Sequence, residues 1–348
     1  MNIHGASLAI LASILIPCAM DAARASAQGS AQASAQPGAR TVTLKMATNA
    51  PMNSPWDLGL RRLAAEFDRV SGGRVKIAFL PSAHVATESD IIQKMRLGTD
   101  GALFSTYGLA ELYPDSLALS MPSFIRSDAE FDAVLADVAP LIKSKLGDRY
   151  VVLAISKGGW VRYFAKSRIV YPSDLAELRI SIESSDDKEK RLFQGIGARV
   201  ITGSMSDFLL RVNSRAVDAT CESPIYIAAL WSQLRGKIGY MSSFKVAPFV
   251  GAIVFNKSSW EKVPLELRTP LAKATQEIAD AISLDSARLE ADAIASLDGI
   301  QVPSEPADAS GKWSEVFAQW RTDLLPQMFS ADILDTMDAA LVKARHAK

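Results

Sequence analysis

Between Thr41 and Thr48 the apolar side chains Val42, Leu44 and Met46 fall on alternate positions, the period of two expected of a strand with one buried face. Residues 55–70 carry Leu58, Leu63 and Phe67 at helical spacings, with Ser54 placed to cap the first free amides and Pro55 in the first turn, where it has no hydrogen bond to lose. Ser71-Gly72-Gly73 stops that helix and 75–80 reads as the next strand, so the chain opens strand, helix, strand. The alternation continues with helices over 89–97 and 128–146, a strand over 101–106, and a continuous apolar strand over 150–155 of the kind buried on both faces. A second set begins at 160–164 and adds short strands at 179–182, 217–220 and 238–241 around a helix at 187–194. Another buried strand follows at 249–255.

Beyond it, Leu267, Leu271, Ile278, Ile282 and Leu289 recur at spacings of four and seven, which predicts a helix over about 265–297, roughly 50 Å long. Such a helix exceeds the usual globular length, so it either packs across two lobes or is two helices. The bridging reading is preferred, with Pro270 as a kink in its early turns and Gly299 as its end. Amphipathic helices over 311–325 and 331–347 complete the chain. The fold class is α/β, with two lobes joined by the long helix.

The amino terminus reads as an address. Residues 8–16, LAILASILI, are too few to cross a bilayer, which takes roughly 20, and fit the apolar core of a secretory signal. Small residues at A-x-A spacing follow, and cleavage is expected after Ala27, although residues 1–5 carry no Lys or Arg. Cys18, preceded by Pro17, makes a poor lipidation site. Residues 28–40 lack large apolar side chains and read as a disordered linker. No later run reaches eighteen apolar residues, so the mature protein is expected to be soluble and exported.

Composition narrows the function. A length of 348 residues suggests two domains, and 38 basic against 38 acidic residues leave no surplus to meet a nucleic acid backbone. Two cysteines and three scattered histidines offer neither a disulfide framework nor a zinc ligand set, so no metal and no cofactor is expected. There is no G-x-S-x-G, Walker A loop, H-E-x-x-H or Gly-rich dinucleotide fingerprint. His84 lies alone in a loop-like run, Cys221 beside Glu222 reads as a small apolar residue, and Asp186-Asp187 belongs to a solvated charged run. Nothing here argues for an enzyme. A secreted hydrolase and a stand-alone sensor or scavenger remain the alternatives from other classes.

Five short segments, in order, carry a resemblance. Ser71-Gly72-Gly73-Arg74-Val75, Ser120-Met121-Pro122-Ser123-Phe124-Ile125-Arg126, Gly158-Gly159-Trp160-Val161-Arg162-Tyr163, Pro172-Ser173-Asp174-Leu175 with Leu178-Arg179-Ile180, and Val217-Asp218-Ala219 with Glu222-Ser223-Pro224 resemble motifs of the DctP family. These are the substrate-binding subunits of tripartite ATP-independent periplasmic (TRAP) transporters. The resemblance implies a two-lobe, type II-like periplasmic binding protein that closes by hinge motion on a ligand in the interdomain cleft and delivers it to TRAP membrane permease subunits. Lobe I would comprise 41–157 plus 245–284, lobe II 158–244 plus 285–330, and 331–348 a C-terminal helix.

The family places two arginines on a ligand carboxylate, because a guanidinium offers two parallel donors to two oxygens. The resemblance assigns Arg162 to the first position and Ser181 to the second, where arginine is missing; it leaves open whether Arg179 substitutes. Asn49 and Ser223 match positions that supply polar contacts, and Glu88 lies in the segment that approaches the cleft. Trp160 and Tyr163, with Trp56 and Trp231, are either pocket walls or core. The implied ligand is a small carboxylate; the loss of a guanidinium at Ser181 favours, as an alternative, a more apolar or aromatic molecule.

Overall fold

The computed structural model describes residues 41–80, 87–182, 187–203 and 207–346; the expected signal peptide (1–27), the linker (28–40) and His84 lie outside the described residues. Among the described residues nine strands join in one hydrogen-bonded sheet: β1 (Val42–Ala47), β2 (Val75–Phe79), β3 (Gly101–Ser105), β4 (Tyr150–Ala165), β5 (Arg179–Ile182), β6 (Arg199–Thr202), β7 (Ala219–Glu222), β8 (Tyr240–Met241) and β9 (Ala247–Asn256). The spatial order is β2-β1-β3-β9-β4-β7-β5-β6, with β8 also on β4. The opening β-α-β unit is present, since β1 pairs parallel with both β2 and β3. β9 then inserts antiparallel between β3 and β4.

In the first half of the sheet, alternation sorts side chains into two cores. Phe104, Ala252 and Val254 face a cluster closed by Phe131, Val134, Ile333 and Met337, while Leu44, Met46, Ile253 and Phe255 face a second cluster with Leu60, Leu63, Phe67 and Leu271. Helices therefore cover both faces. The helix Pro55–Ser71 starts as expected, with Ser54 Oγ accepting from the Asp57 amide, and Asp128–Leu146 spans the expected residues. The second half repeats the arrangement, with Tyr163, Ile180 and Phe193 on one side and Phe164, Phe208 and Ile227 on the other.

Two elements tie the halves together. The first is β4, a single strand of 16 residues where the pattern suggests two. Gly158-Gly159 looks like a break between 150–155 and 160–164; instead the strand carries a bulge between Lys157 and Gly159, and Gly159 takes φ 119°, which glycine adopts without strain. The second is the helix Leu265–Ser296, continuous through Pro270. Leu267 and Leu271 join the core around β1, whereas Ile294, near its end, packs with Phe164 and Trp231. Against its middle, the position of a Cβ on Gly59 would lie 2.3 Å from Ile282 Cγ1, so glycine lets the helix Pro55–Ser71 approach closely.

The chain ends on the first half. Ile333, Leu334 and Met337 of the helix Ala331–His346 bury against the core of Asp128–Leu146, and Lys145–Asp332 and Arg345–Glu130 bridge the pair at 2.7 and 3.0 Å.

Candidate functional site

A cavity of about 440 Å³ opens where the two halves meet. Its walls come from the loop after β1 (Pro51–Trp56), the turn after β3 (Thr106, Tyr107), the segment Leu117–Pro122, Gly158 and Val161 of β4, the end of β7 with the helix Pro224–Ala229, the start of β9, and Ser286 and Leu289 of the long helix. The sequence builds one wall with little freedom. Trp56 enters at the second position of its helix, and its indole rests where glycines leave room. A Cβ on Gly251 would stand 2.3 Å from its Cη2, and one on Gly158 2.9 Å from its Nε1.

Most lining hydroxyls already serve the fold. Ser120 Oγ donates to the Pro248 carbonyl at 2.9 Å, Thr106 Oγ1 accepts from the Val250 amide at 2.9 Å, and Ser223 Oγ accepts from the Ile225 amide at 3.2 Å to cap the helix Pro224–Ala229. Among the described residues lining the cavity there is no Lys or Arg, and Glu222 is the one carboxylate. Glu222 Oε2 accepts from the Ser223 amide at 3.1 Å. Trp56, Tyr107, Tyr226 and Phe249 make the rest of the wall largely aromatic.

Of the residues singled out in the sequence, Ser223 and Trp56 line this cavity, and Arg162, Ser181, Arg179, Asn49, Glu88, Trp160, Tyr163 and Trp231 are not among its lining residues. Arg162 sits one residue past Val161, and successive strand residues face opposite ways. Val161 is in the wall, whereas Arg162 Nη1 donates to the carbonyls of Ser243 (2.6 Å) and Ser242 (3.2 Å). Burial pushes the Arg162 pKa down, and Glu290 partly restores it. Ser181, 3 % exposed, accepts from Arg211 Nη2 at 3.1 Å, and its carbonyl accepts from Thr220 Oγ1. Glu88 grips Ser105, accepting from its amide at 2.5 Å and from its hydroxyl at 2.6 Å, which fixes the turn that brings Thr106 and Tyr107 to the cavity. Asn49 is exposed at the end of β1.

The aromatic candidates divide. Tyr163 is fully buried and stacks on Trp313 at 5.9 Å between centroids; Trp231 donates to the Asp298 carbonyl in the core beside the long helix. Trp160 donates through Nε1 to Asp128 at 3.1 Å and through its amide to Glu290 at 2.8 Å. Lys245 Nζ lies 4.6 Å from the Trp160 ring centroid, and both Lys245 and Lys157 pair with Asp128. Burial raises the Glu290 carboxyl, opposed by the Trp160 amide and by Arg162, Lys245 and Lys157. This charge cluster, buried at Glu290 and Lys157 and open to water at Asp128, ties the helix Asp128–Leu146, β4 and the long helix together beside the cleft.

Among the described residues no group of His, Cys, Asp and Glu gathers as a metal site, and no helix is long and apolar enough to cross a membrane. Val161, Gly158, Phe249, Tyr107 and Tyr226 are among the wall residues that sequence reasoning missed. Strand alternation within Gly158–Arg162 held the signal for Val161, one residue away from the arginine that drew attention.

The chain is similar to the C4-dicarboxylate-binding periplasmic protein DctP of Rhodobacter capsulatus, 20% identical over 246 residues, or 69% of this chain and 72% of that protein. Its fold matches TRAP periplasmic solute-binding proteins solved as crystal structures. The one from Ochrobactrum anthropi superposes with a TM-score of 0.78 at 18% identity, covering 89% of this chain and 97% of the other. The one from Desulfovibrio salexigens, with bound orotic acid, gives 0.77 at 14% identity, covering 87% and 100%. These matches establish the two-lobe fold of TRAP solute-binding proteins. The model of the bacterial extracellular solute-binding protein family 7, DctP, matches residues 46–322, and the chain belongs to that family.

Proposed function

We propose that the chain is the periplasmic receptor of a TRAP-type transporter, exported through a signal peptide cut after Ala27. It captures a small organic solute in the cleft and delivers it to membrane permease subunits. In this reading lobe I is 41–157 with 245–284, lobe II is 158–244 with 285–330, and the helix Ala331–His346 braces lobe I. β4 and the long helix are the connections that bend as the lobes close over the solute. The carrying observation is the cavity itself, walled by Trp56 and Tyr107 from one half of the sheet and by Ser223 and Tyr226 from the other. A solute that touches both walls favours the closed form by its extra contacts there.

The relatives named above take a C4-dicarboxylate and orotic acid, so a carboxylate is the family's precedent. The wall of this cavity fits a mainly apolar or aromatic body better, because its described residues present rings and no guanidinium. One observation favours the acid instead, since Arg211 brings a guanidinium onto Ser181 beside the cleft strands. The function is tested by native mass spectrometry of the protein released from the periplasm, followed by small-angle scattering with the molecule it carries. The expected result is a bound small molecule and a smaller radius of gyration on its addition. An unchanged radius, or a molecule still retained when Ala229→Trp fills the cavity from its exposed rim, overturns it.

A further inference from the structure

We infer that the solute carries a hydrogen-bond acceptor, a carbonyl or carboxyl oxygen on an apolar body, and that Trp56 and Ser286 hold this oxygen against Gly158; this rests on the reading of the cleft as the solute site. Both residues line the cavity. Each also differs from its like elsewhere in the fold. The indole N–H groups of Trp160, Trp231 and Trp313 donate to Asp128 and to the carbonyls of Asp298 and Val170. On the long helix, Thr275 Oγ1 donates to the Leu271 carbonyl at 2.8 Å and Ser283 Oγ to the Lys157 carbonyl at 2.6 Å. Trp56 Nε1 and Ser286 Oγ have no hydrogen-bond partner among the described residues, although Ser286 is only 1 % exposed.

Packing brings the two donors to one place. The helix Pro55–Ser71 runs antiparallel to the long helix, since Phe67 shares the core of Leu271 whereas Gly59 seats Ile282. One further turn toward the cavity leads from Gly59 to Trp56 and from Ile282 to Ser286. β4 meets the same turn of the long helix. Ser283 binds the Lys157 carbonyl and Glu290 the Trp160 amide, so Ser286 stands between these contacts, beside the bulge that holds Gly158. A Cβ on Gly158 would come within 2.9 Å of Trp56 Nε1, so glycine leaves the indole N–H uncovered. A buried hydroxyl without a partner weighs against stability, and a solute oxygen supplies the missing bond. The indole can only donate, the hydroxyl can donate, and one carbonyl oxygen has two lone pairs to accept from both. The rings of Trp56 and Phe249 take the apolar body. Both donors are neutral, so the niche reads an oxygen acceptor independently of the charge that Arg211 brings to Ser181.

The probe is cyclohexanone, a ketone oxygen on an apolar ring with no donor of its own. It is titrated at millimolar concentrations into the full mature chain while NMR follows exchange of the Trp56 indole proton with water, the resonance being assigned by its loss in Trp56→Phe. Cyclohexanone is expected to slow that exchange by roughly threefold or more at saturation. Ser286→Ala is expected to weaken the probe by roughly three- to tenfold, the effect of one hydrogen bond, while its melting temperature stays level or rises. A hydroxyl that served the fold would instead lower the melting temperature on removal. The inference is overturned if cyclohexanone leaves the exchange unchanged, if Ser286→Ala binds it as tightly as the parent, or if Ser286→Ala melts at a lower temperature. Should cyclohexanone protect Trp56 while the molecule carried from the periplasm fails to displace it, the niche stands and the cleft reading is the one that fails.

Discussion

Arg179 holds Asp218 with both ends of its guanidinium, Nε donating to Oδ2 at 2.8 Å and Nη2 to Oδ1 at 2.9 Å. The backbone amide of Arg179 also donates to Oδ2, and Lys166 Nζ stands 2.7 Å from Oδ1. Asp218 is only 5 % exposed, so this fork closes the junction of β5 with the segment entering β7. Arg179 therefore serves the lobe's frame and is absent from the cavity wall.

The pair predicts acid sensitivity. The Arg179 hydrogen bonds, with Lys166 and the Arg179 amide, hold the Asp218 carboxyl well below the usual carboxylate range despite its burial. A depressed carboxylate binds its proton less readily in the folded than in the unfolded chain. Its stabilising contribution is thus complete above the unfolded value and is lost as pH falls through the folded one. Asp218→Asn should lower the melting temperature at pH 7 by roughly 3 °C or more and flatten its fall between pH 5 and the acid limit. Parallel acid slopes for the two proteins would refute this.

Gly251 predicts how tightly the cavity floor is fitted. Because its Cβ would fall 2.3 Å from Trp56 Cη2, Gly251→Val must drive the indole into the cleft or distort β9. Overpacking of this kind costs about 1–3 kcal/mol, and the displaced ring should also exclude the solute. Urea unfolding and calorimetry with the co-purified molecule check both effects. Trp56→Ala should relieve the clash and recover stability in the double variant, a non-additivity expected of residues in contact.

Lys157 gives the second pH dependence. Burial against Phe131 and Trp160 pushes its ammonium down to about 8, Lys245 adds to the effect, and Glu290 opposes it. Asp128 also pulls against the shift, but its side chain is 55 % exposed and water screens it. The unfolded chain then holds this proton more tightly, so the contribution to stability should rise as pH climbs from about 8 toward the ordinary lysine value. Lys157→Met should lack that rise. Urea midpoints at pH 7.5 and 10 measure it, and equal changes in both proteins would count against a buried ammonium.

How much was legible in the sequence depends on the range of the interaction. Val42–Ala47 and Asp128–Leu146 emerge from period and capping because their signals are local. The unity of β4 is hidden, since Gly158-Gly159 resembles a turn until β9 pairs across the bulge. At the site, Trp56 and Ser223 were visible as candidates, but the Gly251 shelf under Trp56 lies 195 residues away along the chain and no periodicity reports it. Arg211 on Ser181 is hidden for the same reason, and a one-residue shift in strand alternation separates Arg162 from the wall position that Val161 occupies.

That shift supplies the last prediction. Val161 lines the cavity while Arg162 turns to the Ser242 and Ser243 carbonyls, so the two residues have separable jobs. Arg162→Ala should release that segment and lower the melting temperature, whatever the solute. Val161→Arg should instead place a guanidinium on a wall whose described residues include none, offering two parallel donors to a carboxylate. Succinate and 3-phenylpropanoate should then bind roughly ten- to a hundredfold more tightly than to the parent, while the co-purified molecule loses affinity through lost space and added charge. Circular dichroism separates these effects from misfolding. If Val161→Arg folds normally and gains no affinity for either acid, position 161 does not face the solute. If Arg162→Ala alone removes solute binding at unchanged melting temperature, the guanidinium of Arg162 reaches the cleft and the division of roles between the two residues is wrong.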